Sequence, residues 1–470
     1  MAIISQAVAN QLGLEIERFL RAGPRSAAQI IAVLGISQPT ISRTIQGLSR
    51  TVASFRVSGD RTPRYALLRQ LPSGLNPRQR IYRYLRNGSI EPFADVEFLV
   101  GGATVERMAR STRFYEGLPP YMSFAAPSGF LGRQLAQEEA RMQLFPRSLK
   151  DWGDDHRVAY LFTLGLNLAG NLVFGDASLQ AEIEFRSTPP TPVADKLAHY
   201  LARAVALKGS AYGSSAGGEQ PKFLGLAADS GHVIVKFAKI GSRMAELLPL
   251  EHLALRTLAE AGVPAASTQL LTVGDYVFLE VQRFDREGLT GRVGLLSAGS
   301  VDDEYFGMRD SWPEFAARCE RARYLSRDDA RVVDTLAAFS ELIGNSDRHF
   351  ENISLLIGED GEYSGMAPAY DILPMRYASI GGGVDPDLTP LDPKIGTIGA
   401  KPEVWGLAAQ AAERFWTAAQ TELFAVPVSA AMKQLAAKNL AVVRKFVAPL
   451  VPVAAAAATD KAGQRRPRKR

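Results

Sequence analysis

Apolar positions recur at helical spacing through the first fifty residues and then give way to alternation. Leu12 to Leu20 reads as an amphipathic helix closed by Gly23-Pro24. Ser26 can cap a second helix with Ile30, Ile31, Val33 and Leu34 on its inner face, and Gly35 supplies the turn. Ser37 can cap a third, with Pro39 tolerated in its first turn and Ile41, Ile45 and Leu48 spaced to pack inward. A strand from Val52 to Val57, the turn Ser58-Gly59-Asp60-Arg61-Thr62-Pro63 and a returning strand from Arg64 to Leu68 follow. Helix, tight turn, helix and hairpin make the pattern of a winged helix-turn-helix over residues 1–70.

Residues 77–186 mix helical and strand signals and read as an α+β subdomain, in which Leu172-Val173-Phe174 is a strand ending at Gly175. The Pro-rich run Ser187-Thr188-Pro189-Pro190-Thr191-Pro192 marks a boundary. Beyond it, over 196–458, strand-like runs (Val233 to Phe237, Tyr276 to Val281) surround a helix from Pro249 to Glu260, and from about Trp312 the pattern is mainly helical. Residues 459–470, ending Arg465-Arg466-Pro467-Arg468-Lys469-Arg470, read as a basic disordered tail. The expected class is α+β, with a two-lobed core whose second lobe is helical.

Composition narrows the function. The single cysteine, Cys319, excludes an internal disulfide and a cysteine-based zinc cluster. No apolar run approaches the roughly 20 residues that span a bilayer, and the start lacks a signal-peptide pattern. A cytoplasmic protein with no membrane partner is expected. The net charge of +5 is unevenly spread. Residues 1–90 carry thirteen Arg and three acids, or +10, and the last twelve residues carry +5, so the 368 between them carry −10. Basic ends on an acidic body point to polyanion partners at the ends.

The sharpest chemical signal is Asn345-Ser346-Asp347-Arg348-His349-Phe350-Glu351-Asn352, between an apolar helix (Leu336 to Ile343) and an apolar strand (Ile353 to Ile357). An Asp followed five residues later by an Asn in such a loop suits phosphoryl transfer. Asp347 accepts the proton of the acceptor hydroxyl, and Asn352 holds magnesium on the nucleotide phosphates. Tyr370-Asp371-Ile372 follows, and Asp371 supplies a carboxylate for the same oxygen-seeking ion. Upstream, the small-residue loop Gly213 to Lys222 precedes a strand and lets backbone amides approach phosphate, without the Gly-Lys-Ser/Thr of a Walker loop. Lys236 inside Val233-Ile234-Val235-Lys236-Phe237 needs an anion if that strand is buried. ATP phosphate can supply it, with Glu251 on the next helix orienting the ammonium. A lysine on a sheet edge is the alternative. Gln282-Arg283-Phe284-Asp285 closes a strand and fits a hinge whose backbone holds adenine.

The series Ser-Ser-Ala-Gly-Gly-Glu-Gln-Pro-Lys, Ile-Val-Lys-Phe, Gln-Arg-Phe-Asp-Arg, Asn-Ser-Asp-Arg-His-Phe-Glu-Asn and Tyr-Asp-Ile resembles the HipA serine/threonine kinase toxins over roughly residues 110 to 445. With the winged-helix segment, it is similar to the YjjJ branch of that family. The resemblance implies a protein-kinase-like core using ATP and Mg2+, with Asp347 as catalytic base and Asn352 and Asp371 as metal ligands. It places Gly217, Gly218, Glu219, Gln220, Lys222 and Lys236 on the phosphates, Gln282, Arg283 and Phe284 at adenine, and His349 and Tyr370 beside the nucleotide. His349 bracing the loop through hydrogen bonds is the alternative. Ser214 or Ser215 matches an inactivating autophosphorylation site. The loop before Lys222 reads one residue longer than the family's, which leaves open which serine is used. The resemblance also implies a toxin that phosphorylates a protein, such as a translation component, under a separate antitoxin protein.

The N-terminal segment adds duplex DNA as a partner, favoured by its charge of +10, with a protein-docking unit as the alternative. Gln38, Thr40, Ser42 and Arg43 lie on the third helix, with Arg56, Arg61 and Arg64 on the hairpin, and such side chains read base edges or hold phosphates. Two other readings remain at this point. One is a DNA-binding regulator whose kinase-like body senses a ligand, and the other is a DNA-damaging toxin.

Overall fold

The computed structural model describes residues 2–140, 145–209, 220–380, 384–422, 424 and 428–451. It contains two compact units, Met1–Ser128 with Leu135–Thr188, and Gly129–Gln134 with Pro189–Arg470. Both mix helix and sheet, as expected of an α+β chain.

The first unit begins with α1 (Ala2–Leu20), β1 (Arg25–Ser26), α2 (Ala27–Leu34), α3 (Gln38–Gly47), β2 (Val52–Phe55) and β3 (Arg64–Leu67). The three strands pair antiparallel in the order β1-β3-β2. Ser26 caps α2 in a full capping box with Gln29, and Gly35 ends it in the left-handed conformation. Ile16, Leu20, Ile30, Ile41, Ile45 and Val52 form the core beneath. Two expectations need correction. The first helix starts at Ala2, ten residues before Leu12. Ser37 makes no side-chain bond to the backbone of α3, because its hydroxyl pairs with that of Thr40 at 2.9 Å.

The second half of this unit is a five-stranded antiparallel sheet. Its strands are β4 (Arg78–Tyr84), β5 (Ile90–Phe98), β6 (Thr104–Arg107), β7 (Thr112–Tyr115) and, after α4 (Pro120–Ala125), α5 (Gly129–Ala140) and α6 (Asp154–Leu164), β8 (Leu172–Phe174). The order is β7-β6-β5-β4-β8. Helices α6 and α7 (Gly175–Phe185) pack together beside it, with Phe162 in edge contact with Phe98 and Phe174. The two sheets of the unit are joined. Arg78 donates to the carbonyls of Ser49 and Val52, Arg107 to that of Ser54, and Ala53, Phe55 and Ala66 share a core with Leu99, Ala103 and Val105.

The second unit opens with α8 (Lys196–Gly209), β9 (Lys222–Ala227), β10 (Gly231–Lys239), α9 (Arg243–Glu260), β11 (Thr268–Val273) and β12 (Tyr276–Gln282). The sheet order is β11-β12-β10-β9, all antiparallel. Strand alternation gives it two apolar faces. Val233, Val235, Phe237, Tyr276 and Phe278 meet Tyr200 and Ala204 of α8, whereas Ala238, Val277, Leu279 and Val281 meet Ala245 and Leu248 of α9. Helix α9 begins six residues before the expected Pro249, capped by Ser242. Proline normally marks a helix start, but here Ala245, Leu247 and Leu248 are buried and their packing carries the helix through it.

A short hairpin, β13 (Arg286–Glu287) and β14 (Gly291–Arg292), leads to β15 (Gly294–Ser297), α10 (Ala298–Tyr305), α11 (Trp312–Ala322) and α12 (Arg327–Ile343). Then come β16 (Ser354–Ile357), β17 (Tyr363–Met366), α13 (Pro402–Thr421) and α14 (Ala430–Val447). Helix α12 is held by α13, where Phe415 meets Phe339 edge-on and Trp416 Nε1 donates to the Leu342 carbonyl at 2.9 Å. Gly344 ends α12 immediately before the Asn345 loop. Its φ is 80°, and a Cβ there would lie 2.7 Å from Leu391 Cδ2. Gly344→Ala should therefore cost about 1–3 kcal/mol in backbone strain alone, read as a lower urea midpoint. An unchanged midpoint would contradict this account of the helix end.

Candidate active site

Three separate stretches meet at one ammonium group. Lys236 sits on β10, a central strand, so the sheet-edge alternative does not apply. Its side chain leaves the face that packs on α9, and the residue is 4 % exposed. Nζ lies 2.5 Å from Glu251 Oε1 of α9 and 2.5 Å from Asp371 Oδ1. Asp371 follows the β16–β17 hairpin and adopts φ 55°, a conformation Asp tolerates better than most residues. Backbone bonds from Ala266 to the Ala369 carbonyl and from Ala369 to the Pro264 carbonyl fix its approach.

The electrostatics follow from this placement. Burial would lower the Lys236 ammonium, but Asp371 and Glu251 outweigh it and hold the group well above its ordinary value. Burial likewise pushes Asp371 up, yet Lys236, Lys222 and His349 overcome it and keep the carboxyl far below the usual range. Glu251 is raised, with burial outweighing Lys236. Lys222 stands directly across from Lys236 in the β9–β10 register; its side chain makes no hydrogen bond or ion pair among the described residues and acts on Asp371 and Glu251 only through its charge. Like charges facing across a ladder are unfavourable unless an anion lies between them.

The loop from Asn345 to Asn352 is fixed from within. Asn345 Oδ1 accepts from the Asp347 N–H at 3.1 Å, and Asn352 Nδ2 donates to the Asp347 carbonyl at 2.8 Å. Trp312 Nε1 donates to the His349 carbonyl at 3.1 Å. The Asp347 side chain stays 46 % exposed, open to an incoming group. His349 spans two carboxylates, with Nε2 3.6 Å from Asp347 and Nδ1 3.3 Å from Glu351. Its bond to Glu351 raises the imidazole above its ordinary value against burial, with Asp347 and Asp371 adding to the effect. Glu351 is in turn held down to about 2, first by His349 and then by Arg309, 2.5 Å away. The bracing role of His349 thus has a geometric basis.

Magnesium and ATP phosphate fit this donor set. Asn352 uses its amide nitrogen on Asp347, and its Oδ1 has no protein donor among the described residues. Asp371 is ionised and a third exposed at its side chain. Both therefore present hard oxygen ligands. Glu251 Oε2 is buried without a hydrogen-bond partner among the described residues, so the triad retains an unused acceptor there. No group of three or more His, Cys, Asp or Glu side chains is arranged to hold a metal among the described residues.

The residues expected at the hinge are more constrained than the sequence suggests. Gln282 N–H donates to the Ser267 carbonyl and Arg283 N–H to that of His232. The Arg283 guanidinium is buried in a two-pronged pair with Asp285. The Phe284 N–H has no backbone partner among the described residues, and its ring lies 5.5 Å from that of Tyr370. Tyr370 bonds Ser354 and the Glu351 carbonyl, each at 2.7 Å, linking this ring to the Asn345–Asn352 loop. Gln220 stands at the entry to β9 with Nε2 buried and without a hydrogen-bond partner among the described residues. Ser214, Ser215, Gly217, Gly218 and Glu219 lie outside the described residues. Sequence reading missed Arg309, held by Asp303 and reaching Glu351. No motif marks it, because the contact crosses forty-two positions.

Of the DNA candidates, Gln38, Ser42, Arg43, Arg56 and Arg61 are exposed. Thr40 is half-buried against Ser37, and Arg64 is paired with Asp60 at 2.9 Å.

Comparison with known proteins accounts for most of the chain. Residues 214–442 match the HipA-like C-terminal domain, and residues 75–183 match the middle domain of YjjJ-like toxins. The toxin YjjJ of Escherichia coli (strain K12) is 32% identical over 414 residues, covering 86% of this chain and 91% of the relative. Among solved structures, HipA of Shewanella oneidensis MR-1, determined with HipB and operator DNA, gives a TM-score of 0.46 at 15% identity, over 78% of this chain and 97% of that one. The proinflammatory kinase CtkA of Helicobacter pylori gives 0.34 at 12% identity, over 52% and 97%. Among the described residues, no helix is long and apolar enough to cross a membrane. The domain matches and the identity to a toxin along nearly its whole length show that this chain belongs to the HipA-like toxins, in their YjjJ branch.

Proposed function

We propose that this protein transfers the γ-phosphate of ATP to a serine or threonine hydroxyl of a protein, and so acts as a cytoplasmic kinase toxin. The observation that carries the reading is the buried Lys236 held between Glu251 and Asp371, in electrostatic reach of the Asp347 loop through His349. Asn352 and Asp371 would hold magnesium, which when bound neutralises the charge that develops on the phosphates. Lys236 and Lys222 bind and orient those phosphates, and Glu251 keeps Lys236 aimed. Asp347 accepts the hydroxyl proton, and its exposure lets a polypeptide reach it. Two crevices of about 340 and 150 Å3 flank Glu341 and Arg348 beside the loop, which suits an extended acceptor segment. Family resemblance makes a translation component the first target to examine.

Asp347→Asn should retain ATP binding and lose ~10²–10⁴ in transfer rate. Radiolabelled ATP with a cell-extract acceptor tests this. A variant transferring phosphate at the wild-type rate would remove Asp347 from the role, and a wild type with no ATP turnover would favour a ligand-sensing body.

We further propose that residues 1–70 form a winged helix-turn-helix that binds duplex DNA, α3 entering the major groove and the β2–β3 turn lying on the backbone. The order α1-β1-α2-α3-β2-β3 and the exposure of Gln38, Ser42 and Arg43 support it. In this branch the fused segment would do the operator binding that otherwise falls to a separate antitoxin. Arg43→Ala should cost ~1–3 kcal/mol on the gene's own upstream region and little on shuffled DNA. The assay is a gel-shift titration with the full chain, since cutting near residue 90 would part β5 from the sheet that β2 and β3 pack on. An equal loss on both duplexes would mean that Arg43 reads no base.

A further inference from the structure

The β2–β3 hairpin is not a free projection. Strand β2 is the edge of its sheet and β7 the edge of the larger one. The sequence pattern carries the strand to Val57, but pairing with β3 stops at Phe55, because the chain turns from β3 to β7. The Ser58 N–H donates to the Thr112 carbonyl at 2.9 Å, and the Thr112 N–H donates to Ser58 Oγ at 2.8 Å. Three residues earlier, Phe55 stacks on Phe114 with centroids 5.8 Å apart and planes 2° from parallel. As one chain advances from 55 to 58 the other recedes from 114 to 112, so the two run antiparallel. The turn after Ser58 and the turn before Thr112 therefore lie at the same end and point the same way.

The second of these turns is short. Arg107 faces Thr112 in register and the Met108 N–H donates to the Ser111 carbonyl at 2.8 Å, which leaves Ala109 and Arg110 at the tip. Arg110 is exposed and its side chain has no partner among the described residues, and the same holds for Arg56 and Arg61 of the β2–β3 hairpin. The nearby acids are engaged: Asp60 pairs with Arg64, and Glu106 is buried on the hydroxyl of Tyr121. Elsewhere on the same sheet the arginines are neutralised across strands, Arg78 by Glu97, Arg80 by Asp95 and Arg83 by Glu91. Positive charge is thus left where the two tips meet.

We propose that the β6–β7 turn is a second wing, which places Arg110 on the phosphate backbone of duplex DNA next to the contact made by Arg61. The proposal rests on the DNA-binding reading of residues 1–70 and assigns the middle domain a share of the footprint. The bond from Arg107 to the Ser54 carbonyl and the apolar core shared by the two sheets keep the tips at fixed spacing. Both arginines can then bind phosphates without ordering a loop.

The test is fluorescence anisotropy of the full chain on a labelled random-sequence duplex across a salt series. Each phosphate contact adds about 0.9 to the slope of log affinity against log salt. Arg110→Ala should flatten the slope by about one, as should Arg61→Ala, and the double variant by about two. Arg110→Glu should weaken binding further, while Arg321→Ala in the other unit should change nothing. If Arg61→Ala flattens the slope and both Arg110 variants match wild type, the second wing is wrong and the DNA reading stands. If the wild-type chain binds no duplex in low salt, both fall.

Discussion

A primary ammonium on the inner face of a central strand must be neutralised by groups brought from elsewhere, because leaving it unpaired costs several kcal/mol. Lys236 meets that requirement with Glu251, fifteen residues on and in the next helix, and Asp371, 135 residues on and beyond the β16–β17 hairpin. One cation therefore fixes the rotation of α9 against the sheet and the position of the turn that carries Asp371. The two carboxylates differ in exposure: the Glu251 side chain is wholly buried against Lys236, whereas that of Asp371 is a third exposed. A magnesium ion on Asp371 and a phosphate near Lys236 would replace one attractive contact with two.

The sequence displayed this chemistry because each group sits in a local pattern that physical reasoning can read. A lysine within an apolar strand, and an Asp and Asn five apart between helix and strand, mark these groups locally, while the sheet-edge alternative for Lys236 falls only to the strand order. What it hid were pairings without a local signature. Arg309 reaches Glu351 across a loop fixed by the buried Asp302, whose carboxylate accepts the Met308 and Arg309 N–H groups at 2.7 and 2.8 Å. The start of α9 was hidden by Pro249, since local rules place proline at a helix start and only tertiary packing overrides them. The end of β2 was hidden for a similar reason. Val57 continues the alternation, but the edge of another sheet captures the next residue.

The same capture shapes how the N-terminal segment should be regarded. A charge of +10 over residues 1–90 suggests a uniformly basic module. The β4 part of that charge is cancelled by Glu91, Asp95 and Glu97 of β5, which lie just beyond that stretch. Of the rest, Arg64 and Arg69 are paired with Asp60 and Asp155, Arg43 lies on α3, Arg56 and Arg61 lie on the β2–β3 hairpin, and Arg18, Arg21, Arg25, Arg50 and Arg86 are spread over the segment. Charge summed along the sequence therefore exaggerates the basic surface of the larger sheet.

If Lys236 and Asp371 form a nucleotide and metal site, and not a purely structural ion pair, calorimetric titration of ATP into wild type, Lys236→Met and Asp371→Asn, with and without magnesium, will separate them. Magnesium should enhance binding by wild type, the enhancement should be lost in Asp371→Asn, and Lys236→Met should bind more weakly under both conditions. Equal enhancement by magnesium in wild type and Asp371→Asn, with all three proteins folded, would leave the two residues a structural pair.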